Sequence, residues 1–203
     1  MEQPVKEYKI RRAAQRQAIL QQRKALTKEE VHALSQLVLA RVLSHPYLQQ
    51  PRLIASYLSC SGELDTITLN EQLQSKQHQL CLPVISPTER GIMDFHRYHS
   101  LAELKPNKFN IPEPIPSKES LVSPTELELV VVPLVGFTGK GARLGMGGGY
   151  YDRILKQISP NCLKLGLAYD FQRNDEIESK EWDVPLDEII TPTQHYRFTT
   201  TKY

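Results

Sequence analysis

The residues best suited to chemistry lie in one stretch, 130–153. There an apolar run, Val130-Val131-Val132-Pro133-Leu134-Val135, leads into Gly136-Phe137-Thr138-Gly139-Lys140-Gly141-Ala142 and then Arg143-Leu144-Gly145-Met146-Gly147-Gly148-Gly149-Tyr150-Tyr151-Asp152-Arg153. Seven glycines fall within fourteen residues, which costs conformational entropy unless the backbone must pass close to something. Phosphate is the natural guest. Bare amides beside a helix start bind anions, and Lys140 and Arg143 add full positive charges. The spacing fits neither G-x-x-x-x-G-K-[ST] nor the dinucleotide fingerprint, since Tyr150 stands where the latter needs its third glycine. A nucleotide is therefore expected without a P-loop or a dinucleotide fold, the alternative being a flexible hairpin or lid.

The elements that must hold this stretch can be read from periodicity. Over 5–24, Ile10, Ala13, Ala14, Ala18 and Leu20 recur at roughly helical spacing, with arginines on the other face. Thr27 followed by Glu30 is a capping box, and Val31, Leu34, Leu37, Val38 and Leu43 carry a second helix to His45-Pro46. Short apolar runs at 53–58, 80–84, 93–98, 127–134 and 163–169 read as strands. Helical patterns at 66–76, capped by Asp65, and at 150–158 alternate with them, which argues for one α/β domain over 1–203 with a largely parallel sheet. Between Pro106 and Pro124 five prolines predict an extended surface loop. His96 and His99 would project from opposite faces of a strand, so they are read as surface groups rather than a metal half-site.

Composition narrows the function classes. At 203 residues, 40% hydrophobic and 24% charged, the chain suits a single globular unit. No apolar run is long enough to cross a bilayer and no signal segment opens the sequence, so the expected compartment is the cytoplasm. Cys60, Cys81 and Cys162 are odd in number and far apart, which points to buried thiols rather than disulfides or zinc. The net charge is only +2, yet seven basic residues face one acid between Lys6 and Lys24, and seven acids face Lys180 between Asp175 and Glu188. The two ends could meet across a shared site, cations for phosphate on one and carboxylates for a metal on the other; two solvated faces are the alternative.

The string from Arg143 to Arg153 resembles the signature of the 5-formyltetrahydrofolate cyclo-ligase family, also called methenyltetrahydrofolate synthetases. The likeness extends over essentially the whole chain: Arg12 and Arg16 ahead of Arg23-Lys24-Ala25-Leu26-Thr27, then Ser61-Gly62-Glu63-Leu64-Asp65-Thr66, Ile111-Pro112-Glu113-Pro114 and Glu181-Trp182-Asp183-Val184-Pro185-Leu186-Asp187 follow in the family's order. It implies a three-layer Rossmann-like domain with two N-terminal helices, similar to ribose-5-phosphate isomerase and glucosamine-6-phosphate deaminase folds. It also implies ATP as co-substrate and Mg2+ as cofactor. Arg12, Arg16, Arg143, Leu144, Gly145, Met146, Gly147, Gly148, Gly149, Tyr150 and Tyr151 would surround the ATP phosphates, and the four-residue spacing of Arg12 and Arg16 suits one polyphosphate. Asp152 and Asp183 would hold the magnesium; otherwise they are a first-turn acid and a loop acid. Leu58, Glu63, Met146, Gly147, Gly148, Gly149 and Tyr150 would face the folate, with Glu63 accepting hydrogen bonds from the pterin unless it is a turn residue. Arg143 and Tyr151 are the implied catalytic pair, although of the adjacent Tyr150 and Tyr151 one should belong to the core.

Two departures from the family stand out: Thr138 replaces its usual aspartate, and Met146 and Gly148 stand where many relatives carry basic residues. The implied reaction phosphorylates the formyl oxygen before ring closure, which asks a protein for positioning and charge neutralisation rather than for a nucleophile. The partners are then small molecules, with no nucleic acid, no membrane and a monomeric chain. A noncatalytic nucleotide or RNA binder and a sugar-phosphate isomerase are the rival readings.

Overall fold

The computed structural model describes residues 3–107 and 110–198. Helices α1 (Gln3–Ala25) and α2 (Lys28–Leu43) come first, and Thr27 and Glu30 form the expected reciprocal cap of α2. Strand β1 (Leu53–Ala55), helix α3 (Thr66–Ser75) and strand β2 (Gln79–Ile85) make a parallel unit, with the Asp65 carboxylate accepting from the N–H groups of Ile67 and Thr68 to start α3. The chain returns through β3 (Met93–Arg97), β4 (Lys105–Pro106), β5 (Pro112–Glu113) and β6 (Leu121–Val122). The proline-rich stretch thus holds three short strands, one of them closing the sheet edge beside β3, a position where proline is tolerated nearby. Then follow β7 (Leu129–Val132), β8 (Gly136–Phe137), β9 (Arg143–Leu144), α4 (Tyr150–Ile154), β10 (Leu163–Leu167), β11 (Glu188–Ile190) and β12 (His195–Arg197).

Among the described residues the main sheet has eight strands in the order β12-β11-β10-β7-β1-β2-β3-β6. Its five central strands are parallel, flanked by antiparallel β12 on one side and β3 and β6 on the other. Along β7, Leu129 and Val131 join one core with α2 and α3, while Val130 and Val132 join a second core with α4. That alternation makes three layers and a mixed α/β fold of the Rossmann-like class. β1 connects through α3 on one face, and β7 connects through α4 on the other. Ligands of doubly wound sheets sit beyond the carboxyl ends of strands whose connections diverge in this way. Here that position lies beyond β1 and β7.

Several local readings are corrected. The glycine-rich stretch is not one loop, because β8 and β9 pair as a hairpin and only residues 145–149 remain loop. Thr138 supports the hairpin tip: its hydroxyl oxygen accepts from the N–H groups of Lys140 and Ala142, a duty an aspartate would also perform. Helix α4 ends at Ile154 instead of 158 and gives way to turns ahead of Pro160. Cys60 is exposed, and His96 is buried against Ser120 rather than on the surface.

The largest correction concerns α1. Its apolar residues do not form the inward face: Ile10 is 60% exposed, and Ala13, Ala14 and Ala18 are exposed as well. The inward stripe is Arg12, Arg16, Ile19 and Arg23, at helical spacing. Apart from Ile19, which lies with Ile177 against Gly136, what α1 meets is polar, namely the acidic segment 175–188 and loop carbonyls, so guanidinium groups fit most of that face. No helix among the described residues is long and apolar enough to cross a membrane.

Candidate active site

Beyond the carboxyl end of β7, the hairpin and the acidic segment enclose a cleft of about 610 Å³, lined in part by Thr138, Lys140, Arg143, Arg173 and Asp183. Arg143 projects from β9 and is 4% exposed; its Nη2 donates to the Asp152 carboxylate. Burial pulls the Arg143 guanidinium below its ordinary pKa, while Asp152 and Asp183 act to keep it charged. Its Nε is enclosed without a hydrogen-bond partner. Across the cleft, Arg12 Nη1 donates to Asp183 Oδ2 at 2.7 Å, to the Glu178 carbonyl at 3.1 Å and to the Tyr8 hydroxyl. Burial opposes the Arg12 charge, but Asp183 and Tyr8 outweigh it and the pKa is raised. The two chain ends of opposite charge therefore meet, and they meet by pairing with each other.

Residues 145–149 follow Arg143 and lead into α4. Arg16 Nε donates to the Gly145 carbonyl at 2.8 Å. Among the described residues no acceptor takes the N–H groups of Met146, Gly147, Gly148 or Gly149, and no side chain caps α4. Gly147 and Gly149 have φ of 93° and 71°, a region open to glycine but costly for other residues. Four bare amides beside two arginines suit an anion. With only five residues, α4 has little macrodipole, so the charge comes from the guanidinium groups.

The other expected residues are distributed as follows. Leu144 is fully buried and its carbonyl accepts from the Val135 N–H. Tyr150 and Tyr151 both pack against the same core, where only one was expected to. The Tyr151 ring is partly exposed but its hydroxyl is enclosed without a partner, and burial pushes its pKa far up, with Glu63 adding to the effect. Leu58 is buried beside Tyr57 in the core under α3. Glu63 does carry a structural duty: its Oε2 accepts from the Cys60 N–H at 3.0 Å, and Oε1 lies 3.4 Å from Arg23 Nη2. Arg23 was not singled out from the sequence, where it is one basic residue among seven.

A metal has room in this arrangement. The hydrogen bonds of Asp152 go to Oδ1 and those of Asp183 to Oδ2, so among the described residues one oxygen of each carboxylate has no protein donor. The Val184 N–H lies 3.5 Å from Asp152 Oδ1, which brings the two acid-bearing segments together. A hard cation shared with phosphate oxygens needs only one or two such ligands. His45, Glu188 and His195 also cluster within 4.8 Å at the far sheet edge. That cluster is a hydrogen-bond network: His45 Nδ1 accepts from the Tyr47 N–H, so its Nε2 carries a proton toward Glu188 and lacks the lone pair a metal requires.

The sequence profile of the 5-formyltetrahydrofolate cyclo-ligase family matches residues 8–192. The chain belongs to that family. It is 36% identical to the 5-formyltetrahydrofolate cyclo-ligase of Escherichia coli K12 over 177 residues, 87% of this chain and 97% of the relative. With the Haemophilus influenzae protein of the same name it shares 36% identity over 166 residues, 81% of this chain and 89% of that one. The solved 5,10-methenyltetrahydrofolate synthetase of Aquifex aeolicus superposes with a TM-score of 0.81 at 32% identity, covering 94% of both chains. The Mycoplasma pneumoniae synthetase gives 0.72 at 28% identity, covering 89% of this chain and 98% of that one. These cyclo-ligase relatives are enzymes of the ligase class.

Within such a site the orphaned hydroxyl makes a test. Tyr151→Phe is expected to leave the melting temperature unchanged or raise stability by about 1 kcal/mol, because an unsatisfied buried hydroxyl is lost. Turnover should fall about tenfold or more if that hydroxyl engages the substrate as the reaction proceeds. A destabilised variant with full activity would make the hydroxyl a structural group.

Proposed function

We propose that this chain catalyses the ATP- and magnesium-dependent cyclisation of 5-formyltetrahydrofolate to 5,10-methenyltetrahydrofolate, releasing ADP and phosphate, as a cytoplasmic monomer acting on small molecules alone. One observation carries the reading. Beside four unclaimed glycine-loop amides stand Arg16 and Arg143, and Arg143 and Arg12 are each paired with one of two acids, Asp152 and Asp183, that keep a second oxygen available. A nucleotide polyphosphate with its cation is the ligand that uses all of these groups together.

The chemistry explains why ATP is wanted. Ring closure requires the neighbouring aniline-type nitrogen to add to a formamide carbon, whose oxygen must then depart, and oxide is a very poor leaving group. Transfer of the γ-phosphoryl group to the formyl oxygen yields ADP and an activated carbon. The nitrogen adds to that carbon and loses its proton, and the carbon–oxygen bond breaks to give inorganic phosphate and the methenyl cation. Arg12, Arg16 and Arg143 with the loop amides would hold and neutralise the phosphates, which is most of what phosphoryl transfer asks of a protein. Magnesium, when bound through Asp152 and Asp183, supplies further charge neutralisation on the phosphate oxygens. Glu63, beyond the carboxyl end of β1, is the group to accept hydrogen bonds from the pterin, with Leu58 and the loop from Met146 to Tyr150 bordering the folate.

A sugar-phosphate isomerase, the rival enzyme reading, would need a general base near the loop and no ATP. An absorbance assay for the methenyl product, omitting ATP, magnesium and 5-formyltetrahydrofolate in turn, separates the readings. Product is expected only with all three present. Turnover without nucleotide would overturn the proposal.

A further inference from the structure

Arg23 is buried as deeply as the apolar core, at 2% exposure, although it lies on a helix that is otherwise largely solvated. Its Nη2 donates to the carbonyls of Cys60 at 3.1 Å and Ser61 at 2.9 Å, and lies 3.4 Å from Glu63 Oε1. The remaining carbonyl of this turn, that of Gly62, accepts from the Tyr169 hydroxyl at 3.1 Å. The turn they hold is an uncommon one. Ser61 and Gly62 have φ of 51° and 74°, and a serine rests in that left-handed region only when its surroundings over-determine it. A Cβ added to Gly62 would lie 3.1 Å from the carbonyl oxygen of Arg23, so the end of α1 and the turn are in close contact. Two donors of the Arg23 fork, Nε and Nη1, are enclosed with no partner. A buried guanidinium left half-satisfied calls for an explanation beyond fold stability.

We propose that Arg23 is a positioning residue for the folate half of the reaction: it holds the 60–63 turn in its left-handed form and keeps the Glu63 carboxylate ionised and oriented for the pterin. This rests on the assignment of Glu63 to the pterin given above. The groups facing Glu63 are Arg23 from α1, Cys60 and Tyr57 around the turn after β1, Tyr151 from α4 and Tyr169 after β10. Of these only Arg23 is positively charged at neutral pH. Burial pushes the Glu63 carboxyl up from its ordinary range, and Arg23 is the chief opposing influence, followed by the Cys60 N–H. The sign follows: without the Arg23 charge the Glu63 pKa rises further, so the carboxylate is lost as pH falls and restored as pH rises.

The test is the pH profile of Arg23→Gln, which keeps a donor for the turn carbonyls but no charge, beside Arg23→Lys, which keeps the charge. Between about pH 6 and 9, the KM for 5-formyltetrahydrofolate of Arg23→Gln should be raised about tenfold or more at the acid end and approach the unaltered enzyme at the alkaline end. The Lys variant should show a flatter profile, the KM for ATP should stay unchanged in both, and in a Glu63→Gln background Arg23→Gln should add no pH dependence. A loss in kcat and both KM values together, independent of pH, would make Arg23 merely structural and overturn the proposal. Should Arg23→Gln fail to fold, carboxyl NMR on the unaltered protein decides, since a Glu63 titrating at or above neutral pH would equally overturn it. If the unaltered protein neither binds nor turns over 5-formyltetrahydrofolate, it is the functional reading that fails, and this outcome is distinct from an active enzyme whose Arg23→Gln variant shows no pH dependence.

Discussion

Replacing Arg143 by alanine is expected to lower kcat/KM some hundreds-fold, which corresponds to about 3 to 4 kcal/mol of lost transition-state stabilisation, while Lys140→Ala costs far less. Both side chains line the same cleft, but they are held very differently. Arg143 sits in β9, paired to Phe137 across the hairpin, buried, and locked by Asp152. Such a fork is pre-organised for phosphate oxygens. Lys140 is exposed at the hairpin tip between two glycines, a flexible point charge. Because Met146 and Gly148 supply no charge to the loop, few neighbouring cations can substitute. Arg143→Lys should fall between the two alanine variants. Steady-state kinetics with melting curves as folding controls measure this, and a folded Lys140→Ala more impaired than Arg143→Ala would reverse the assignment.

Stability should depend on which partner of the Arg143–Asp152 pair is replaced. Asp152→Asn leaves a guanidinium that is 4% exposed without its carboxylate, and the other nearby acid, Asp183, is already bonded to Arg12. Breaking a buried pair from that side is expected to cost about 3 kcal/mol, the lower end of the usual range because the Asp152 side chain is 24% exposed. For a chain of this size that is a fall of roughly 6–12 °C in Tm. Arg143→Met removes the buried charge itself and leaves Asp152 with water and the Val184 N–H, so its cost should stay below about 1.5 kcal/mol. Both variants should lose activity. Thermal denaturation of the two proteins side by side checks the order, and a lower Tm for Arg143→Met would show that shape rather than charge holds this part of the site.

Much of the architecture was legible because its signals are local. The capping box at Thr27, the Asp65 cap and the Val-rich run of β7 each state their structure within a few residues. β11 and β12 were missed because each is three residues long and β11 begins with a buried glutamate, so neither shows a run or an alternation. The orientation of α1 was misread for a different reason. Hydrophobic periodicity finds the buried face only when what covers it is apolar, and here the covering groups are carboxylates and carbonyls. At the site, the glycines were visible from their spacing, whereas Asp152 came from the resemblance to the family. The pairing of Arg12 with Asp183 was foreshadowed only as a charge imbalance between the ends, and Arg23 stood in a stretch shared with the family but without a role, since a buried and a solvated arginine look alike in a sequence. A basic helix whose arginines recur at 12, 16 and 23 along the face that also carries Ile19 was the available hint.

The arginine stripe of α1 also fixes when the site can come into being. Its contacts with Cys60 and Ser61 span 37 and 38 positions, but those with Gly145 and Asp183 span 129 and 171. During synthesis α1 precedes the rest of the described fold and can dock on the 60–63 turn once β1 has formed, yet Arg16 and Arg12 must wait for segments made well over a hundred residues later. Contacts of such long separation are the slow ones, because loop closure has to precede any gain from them. The folate half of the site is thus assembled early and the nucleotide half last, so a nascent or truncated chain should acquire its pterin turn well before it can hold a polyphosphate.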